Sequence, residues 1–510
     1  MFAKTLSTGI FGMESYMVDV ESDISSGLPV FDIVGLPDKS VSESRNRVRS
    51  AIKNSGFDFP ASRITVNLAP ADIRKEGSVY DLPMLIAILI SSRQLSCDVE
   101  GKAFIGEISL DGSLRHVNGA LPMVITAMKS GVKEIFIPKQ NAAESAVVKG
   151  IDIFPAENVT EIISHLMGIK KIEAIDHDSF IKLQEPQIYP DFADVKGQFE
   201  ARRALEVAAA GGHNLMMIGP PGSGKSMLAK RLPSILPDMT FEESLETTKL
   251  YSIAGDLPDN VSLITARPFR SPHHTVSPAG LSGGGSVPKP GEISLAHNGV
   301  LFLDELPEFS RVAMEILRQP VEDGRITISR VAGTVSFPCS VMLVCAMNPC
   351  PCGYYGHPTK SCTCPKGAPA KYLSRVSGPL LDRLDIHIEV PPVDFAKLST
   401  DEKSECSADI RERVNKTRKI QQKRFEGTGI TCNAKMPPEM TREFCVLTPA
   451  ASVLLEKAFE RLGLSARAYD KILRVARTSA DMDGSDKIDV PHISEAVQYR
   501  SLDRKFRQAE

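Results

Sequence analysis

Asn214-Leu-Met-Met-Ile-Gly219-Pro220-Pro221-Gly222-Ser223-Gly224-Lys225-Ser226-Met-Leu-Ala-Lys-Arg-Leu232 decides the fold. An apolar strand runs into a glycine-rich loop that opens a helix, the context a phosphate-binding loop requires. The glycines let backbone N–H groups turn inward around phosphate oxygens, and the helix N-terminus adds its positive dipole end. Lys225 is placed to pair with the β and γ phosphates of ATP and Ser226 to ligate Mg2+. Gly219 through Ser226 are therefore the candidate nucleotide site.

Seventy-odd residues on, Val300-Leu-Phe-Leu-Asp304-Glu305 supplies a second apolar strand ending in two carboxylates. Ligands of open α/β sheets bind at that edge. Asp304 is expected to hold the magnesium shell, and Glu305 to orient and activate the attacking water. An Asp-Glu pair can also simply cap a following helix, but the two motifs together are far more specific than either.

Outward from these motifs, near-continuous apolar runs at Asn214–Ile218, Gly299–Leu303, Val341–Cys345 and Ile386–Val390 predict a parallel sheet covered on both faces, spanning 191–393. Residues 394–510 carry amphipathic helical patterns, at Ala450–Leu462, Ala466–Ala480 and Val490–Tyr499, that predict a small helical lid. Upstream, Val30–Val34, Arg63–Leu68, Phe104–Leu110 and Glu134–Ile137 read as strands, with helices at Ser40–Asn54, Leu82–Arg93 and Gly119–Ser130 between them. That is a separate α/β domain over 1–170. The polar, Pro-bounded stretch 171–190 reads as its linker. The 510 residues fit roughly three domains. The longest apolar run, Leu82–Ile90, is too short to cross a bilayer, and Glu14 and Asp19 interrupt any signal peptide, so a cytoplasmic protein with no membrane partner is expected. A formal net charge of −3 gives no general field for nucleic acid.

The motifs KEGSVYDLP (75–83), GPPGSGKS, RPFRSPHHT (267–275), GEISLAHNGVLFLDELPEF (291–309), AMNPCPCG (346–353) and SGPLLDRLDIHIEV (377–390) resemble those of the magnesium-chelatase-like AAA+ ATPases, and within them the bacterial competence-protein or YifB family. The likeness runs along nearly the whole chain. It implies that Asn348 is sensor 1, contacting the γ-phosphate or its water, and that Arg383 is an arginine finger offered to a neighbouring subunit's nucleotide. It implies that Arg467 is sensor 2, with Arg474 as the alternative. The alternative for Arg383 is a surface ion pair with Asp382 or Asp385. The family also carries two pore-facing insertions, here the hairpin Arg325–Phe337 and a segment within Ser271–Pro290, whose Arg330 or Lys289 could touch a DNA backbone.

The first domain resembles the proteolytic domain of Lon (S5-like), most closely over Gly106–Asn141, but Val79 stands where Lon has its serine and Leu121 where it has its lysine. Without that dyad no peptidase chemistry is expected. Arg45, Arg49 and Lys53 share one helix face, either a backbone-binding stripe or an ordinary solvated one. Cys350, Cys352, Cys362 and Cys364 offer four thiolates in two close pairs, suited to a structural Zn2+, although their one-residue spacers are tight. His357 could replace one of them; free thiols or a redox pair are the alternatives.

The resemblance thus implies a homo-hexameric, ATP-dependent DNA motor. It would be a branch-migration helicase passing single-stranded and branched DNA through its pore while recombination intermediates form in natural transformation. An ATPase subunit of a magnesium-chelatase-type complex, or an ATP-switched scaffold or chaperone-like protein, are the competing readings.

Overall fold

A computed structural model describes residues 1–178, 189–258, 260–285, 288–330, 333–392 and 404–502. Half of the expected 171–190 linker, residues 179–188, and the 393/394 boundary fall outside these. So do residues 286–287 of the expected insertion and the 331–332 tip of the hairpin.

The N-terminal sheet has seven strands in the spatial order Val30–Val34, Arg63–Ala69, Glu14–Ser25, Phe2–Phe11, Lys102–Phe104, Glu134–Pro138, Asp152–Ala156. Its middle is a hairpin, Phe2–Phe11 against Glu14–Ser25, antiparallel. Sequence patterning misses this hairpin because buried positions of its first strand hold Thr5, Ser7 and Thr8 rather than aliphatics, which weakens the period-2 hydropathy signal. The expected strand Phe104–Leu110 is two pieces, Lys102–Phe104 and Glu107–Ile108. Helix Asp81–Ser91 (DLPMLIAILIS) is apolar all round and buried almost throughout, as a helix wedged between a sheet and a second helix must be. Its first-turn Asp81 is fully buried, and Arg47 of helix Lys39–Asn54 meets it through Nε (2.6 Å) and Nη2 (3.0 Å).

The second sheet is wholly parallel, ordered Phe269–Arg270, Val300–Leu303, Met342–Met347, Leu215–Ile218, Ile386–Glu389. The four predicted strands are present, and a two-residue edge strand joins them. Leu215 through Met217, Val300 through Leu303 and Leu343 through Ala346 are entirely inaccessible, each large side chain worth ~1.5–3 kcal/mol of apolar burial. Ile410, Leu455, Ile472 and Ile493 of the C-terminal helices share one hydrophobic core with Leu205, Leu215, Val300 and Ile386. The lid is therefore packed on one face of the sheet. Its longest helix, Ser407–Arg424, was not marked by hydropathy because it is rich in charge.

The N-terminal unit packs directly on the part of the chain that follows it. Ser252 of helix Phe241–Ala254 accepts the Gly119 N–H (2.9 Å) and donates its hydroxyl to the buried Glu144. The turn of the N-terminal hairpin lies on the Arg325–Pro338 hairpin, with Gly12 against Val335 and Phe11 against Gly333.

Candidate nucleotide site

The phosphate loop starts where Leu215–Ile218 leaves the sheet, and its close packing explains its glycines. The Gly219 N–H donates to Met347 O (3.2 Å), and a Cβ at Gly219 would sit 2.2 Å from Val390 O. Gly222 (φ 77°) and Gly224 (φ 94°) take left-handed conformations that side chains resist. Lys225 then opens helix Lys225–Arg231. Its ammonium donates to Gly219 O (2.8 Å), Pro220 O (2.9 Å) and Asn348 Oδ1 (3.2 Å). Burial pulls the Lys225 pKa down, opposed by the charges of Asp304 and Glu305.

On the neighbouring side of the loop, Ser226 donates its hydroxyl to Asp304 Oδ2 (2.5 Å), and Asp304 Oδ1 accepts the Glu305 N–H (2.9 Å). A hydroxyl and a carboxylate oxygen in mutual reach form an oxygen donor pair of the kind Mg2+ takes. Asn348 ends the central strand Met342–Met347. The structure therefore gathers Lys225, Ser226, Asp304, Glu305 and Asn348 at the C-terminal edge of one sheet. Sequence reasoning overlooked Gln198, whose amide donates to Ser223 O (3.2 Å) and Pro391 O (2.6 Å), fastening the loop from the outside. A lone Gln in a polar turn gives no sequence signal.

The two distal arginines are placed differently. Arg383 donates to Arg318 O (3.0 Å) and Pro379 O (2.7 Å) and pairs with Glu322, so its partner is neither Asp382 nor Asp385. Asp385 instead accepts from the Asn214 N–H (3.0 Å) and pairs with Lys471 (3.0 Å). Arg467 is exposed at the start of helix Ala466–Met482. Lys471, one turn further on, bonds Leu384 O (3.2 Å) at the N-terminal ends of the core strands, the edge opposite the phosphate loop. Within one subunit neither arginine is gathered with Lys225. Arg474 is held inside the lid by Ala434 O (3.1 Å) and Thr441 Oγ1 (3.4 Å).

Immediately beyond Asn348, Cys350, Cys352, Cys362 and Cys364 converge with all four Sγ atoms within 4.8 Å of one another. Three separations are 3.4, 3.6 and 3.8 Å, against about 3.8 Å for the edge of a tetrahedron with 2.3 Å metal–sulfur bonds. The Tyr355 N–H donates to Cys350 Sγ (3.3 Å). His357 Nδ1 instead accepts the Thr359 and Lys360 N–H groups (3.2 and 3.1 Å). The insertion rests on the phosphate loop, Gly353 against Pro221.

The expected pore elements also pack together. Gly283 lies on Ile328 of the hairpin and Gly284 close to Arg330, while the Lys289 and Arg330 side chains are exposed. In the first domain Val79 and Leu121 are both core residues. Ser78 donates its hydroxyl to Glu107. Arg45, Arg49 and Lys53 are exposed, with Arg49 over the Phe59 ring at 5.5 Å.

A parallel sheet ordered this way, a phosphate loop after an interior strand, a carboxylate pair on a nearby strand and a helical lid define an AAA+ ATPase core beside an α/β N-terminal domain. Residues 191–398 match the family model described as magnesium chelatase, subunit ChlI; residues 20–141 match the subunit ChlI model and 404–500 its C-terminal model. The chain belongs to this magnesium-chelatase-like AAA+ family. It is 45% identical over 507 residues to competence protein ComM of Haemophilus influenzae, covering 98% of both chains. It is 43% identical over 496 residues to YifB of Escherichia coli K12, covering 97% of this chain and 96% of that one. The Lon protease of Rhizobium meliloti is 27% identical over 150 residues, 28% of this chain and 18% of that protein. No described helix is long and apolar enough to cross a membrane.

Proposed function

We propose that this chain is an ATP-hydrolysing, ring-forming DNA motor that migrates branched recombination intermediates during uptake of foreign DNA. ATP hydrolysis is supported by the single cluster in which Lys225 reaches Asn348 and Ser226 reaches Asp304. Ser226 and Asp304 would hold Mg2+, which supplies charge neutralisation at the phosphates. Lys225 and the loop amides bind the phosphates, Glu305 takes the proton of the attacking water, and Asn348 fixes that water's direction. The DNA reading is supported by the full-length likeness to a competence protein. Exposed Arg330 and Lys289 on two packed insertions offer phosphate contacts.

A ring is supported by the placement of Arg383 and Arg467 away from the site of their own subunit. In a hexamer each would serve a neighbour's nucleotide, Arg383 by exchanging Glu322 for a phosphate and Arg467 as sensor 2. The domains assigned are 1–170, 191–393 and 394–510, joined by the 171–190 linker. We assign a structural Zn2+ to the four converging thiols, and free thiols elsewhere suit a reducing, cytoplasmic setting.

The test is steady-state ATP hydrolysis with and without single-stranded, duplex and four-way-junction DNA, with Lys225→Ala as the blank. Stimulation strongest by the junction upholds the motor. Hydrolysis indifferent to every DNA removes the DNA reading and favours a chelatase-type partner, the reading that the matched family description supports.

A further inference from the structure

Between Asp323 and Asp382 the chain carries no acidic residue: the 58 residues 324–381 hold six Lys or Arg and not one Asp or Glu. The whole chain has 63 acids in 510 residues, about one in eight. A protein of formal net charge −3 thus concentrates an anion-accepting surface in one stretch. That stretch holds the Arg325–Pro338 hairpin and the entire cysteine insertion. Arg375 is paired with Glu308 (3.2 Å), which lies outside it. Lys360, Lys366 and Lys371 are exposed. The Lys360 ammonium sits over the Tyr354 ring, 5.0 Å from its centroid, and Lys366 and Lys371 enter no ion pair among the described residues. Beside these lysines stands Tyr355. Its N–H donates to Cys350 Sγ (3.3 Å), which braces its backbone on the converging thiols, yet the residue is 58% exposed. A cavity of about 680 Å³ opens next to it, walled by Tyr355, His357, Pro358, Pro369, Leu373 and Leu502. It borders the phosphate loop at Gly219 and Pro220, but none of Lys225, Ser226, Asp304 and Asn348 lines it. Glu389 also lines it, so the cavity suits an uncharged flat group, and phosphates belong with the lysines outside it.

We propose that the cysteine insertion is a binding surface for unpaired DNA, with Tyr355 as the platform on which a base stacks at the cavity mouth and Lys360, Lys366 and Lys371 as contacts to the neighbouring phosphates. Stacking on an aromatic side chain is sequence-tolerant and worth ~1–3 kcal/mol per base. It is open only to a base outside the duplex stack, because a paired strand hides its base faces. The lysines add a salt-dependent, sequence-independent attraction. Such a surface tells the opened strand of a branched intermediate from its paired arms, a distinction that hairpin charges alone do not make. The inference deepens the proposed DNA activity and rests on it.

The experiment titrates the full-length protein into a fluorescently labelled dT oligonucleotide and a labelled duplex, reading anisotropy at several salt concentrations. The variants are Tyr355→Ala, Tyr355→Phe, Lys366→Ala combined with Lys371→Ala, and Lys289→Ala combined with Arg330→Ala. We expect Tyr355→Ala to weaken dT binding about tenfold, Tyr355→Phe to stay within about twofold of wild type, and duplex binding to change by less than about twofold in both. The Lys366 and Lys371 pair of substitutions should lower the slope of log K against log salt by about 1.4 on dT, ~0.7 per lost phosphate contact. ATP turnover without DNA should match wild type in the Tyr355 and lysine variants. A Tyr355→Ala protein that binds dT as wild type does overturns the proposal. So does a loss that Phe fails to restore, or one that comes with lost DNA-free turnover, since either is damage to the insertion and not loss of a stacked base. If wild type binds dT and only the Lys289 and Arg330 substitutions weaken it, this inference fails and the DNA reading stands. If wild type binds no DNA of either form, both fail.

Discussion

At the scale of the residue, the phosphate loop shows why a motif is more than a composition. Gly219 is needed for space: the site of its missing Cβ is 2.2 Å from Val390 O, a backbone atom that cannot swing aside. Gly219→Ala must therefore push the loop away from the Ile386–Glu389 strand end. We expect it to lower stability by ~1–3 kcal/mol, the usual cost of overpacking, and to weaken nucleotide binding, read by denaturant unfolding and by titration of a fluorescent ATP analogue. Equal stability and affinity to wild type would show that the loop yields. The same residue-level geometry separates readable from unreadable roles. The clustering of Lys225, Ser226 and Asp304 was legible because each stands at a fixed place beside a strand end, whereas Asn348 was legible only through the family resemblance. Gln198 and Glu322 were not legible, since neither stands in a motif and each takes its role only from the contact the fold brings to it.

At the scale of the element, Asp385 locks the lid helix Ala466–Met482 to the start of strand Ile386–Glu389. Burial opposes its ionisation, but the Lys471 charge wins and holds the carboxyl well below the ordinary carboxylate range. Asp385→Asn leaves Lys471 buried without its counter-ion, so a loss of ~3–5 kcal/mol is expected in urea unfolding. Because the folded-state pKa is depressed, this contribution is complete above the unfolded value near 4 and is lost as pH falls through the folded one. The gap between variant and wild type should thus be full at pH 7 and shrink below about pH 4; a gap independent of pH would mean the pair is not what holds the helix. The cysteine insertion acts on a second element, since Gly353 rests on Pro221. Removing metal with a chelator, or Cys362→Ser, should weaken ATP-analogue binding on the order of tenfold, about 1.4 kcal/mol. Elemental analysis of the untreated protein checks the metal itself, and metal-free folded protein would end the zinc assignment. Elements buried on both faces, such as Val300–Leu303, were legible from continuous apolarity. The Phe2–Ser25 hairpin was not, because packing there uses hydroxyl residues, and the edge strand Phe269–Arg270 is too short to carry a period.

At the scale of the whole molecule, the division of the proposed catalytic groups becomes an argument about assembly. Lys225, Ser226, Asp304, Glu305 and Asn348 lie together, while Arg383 is bound to Glu322 and Arg318 O in its own chain. If Arg383 works on a neighbour, a subunit lacking it is a sound acceptor, and a subunit lacking Lys225 is a sound donor. Arg383→Ala and Lys225→Ala should each be nearly inactive alone. Mixed at equal amounts and allowed to exchange, they should regain activity, because about one head-to-tail interface in four then combines an intact loop with an intact arginine. Recovery near that fraction, measured as ATP turnover per total protein, fits a finger acting in trans. If Arg383→Ala hydrolyses normally, the arginine is a structural clasp for Glu322. If both variants are inactive and mixing restores nothing although exchange is verified, Arg383 acts within its own subunit, and the case for a ring would have to come from the size of the particle alone.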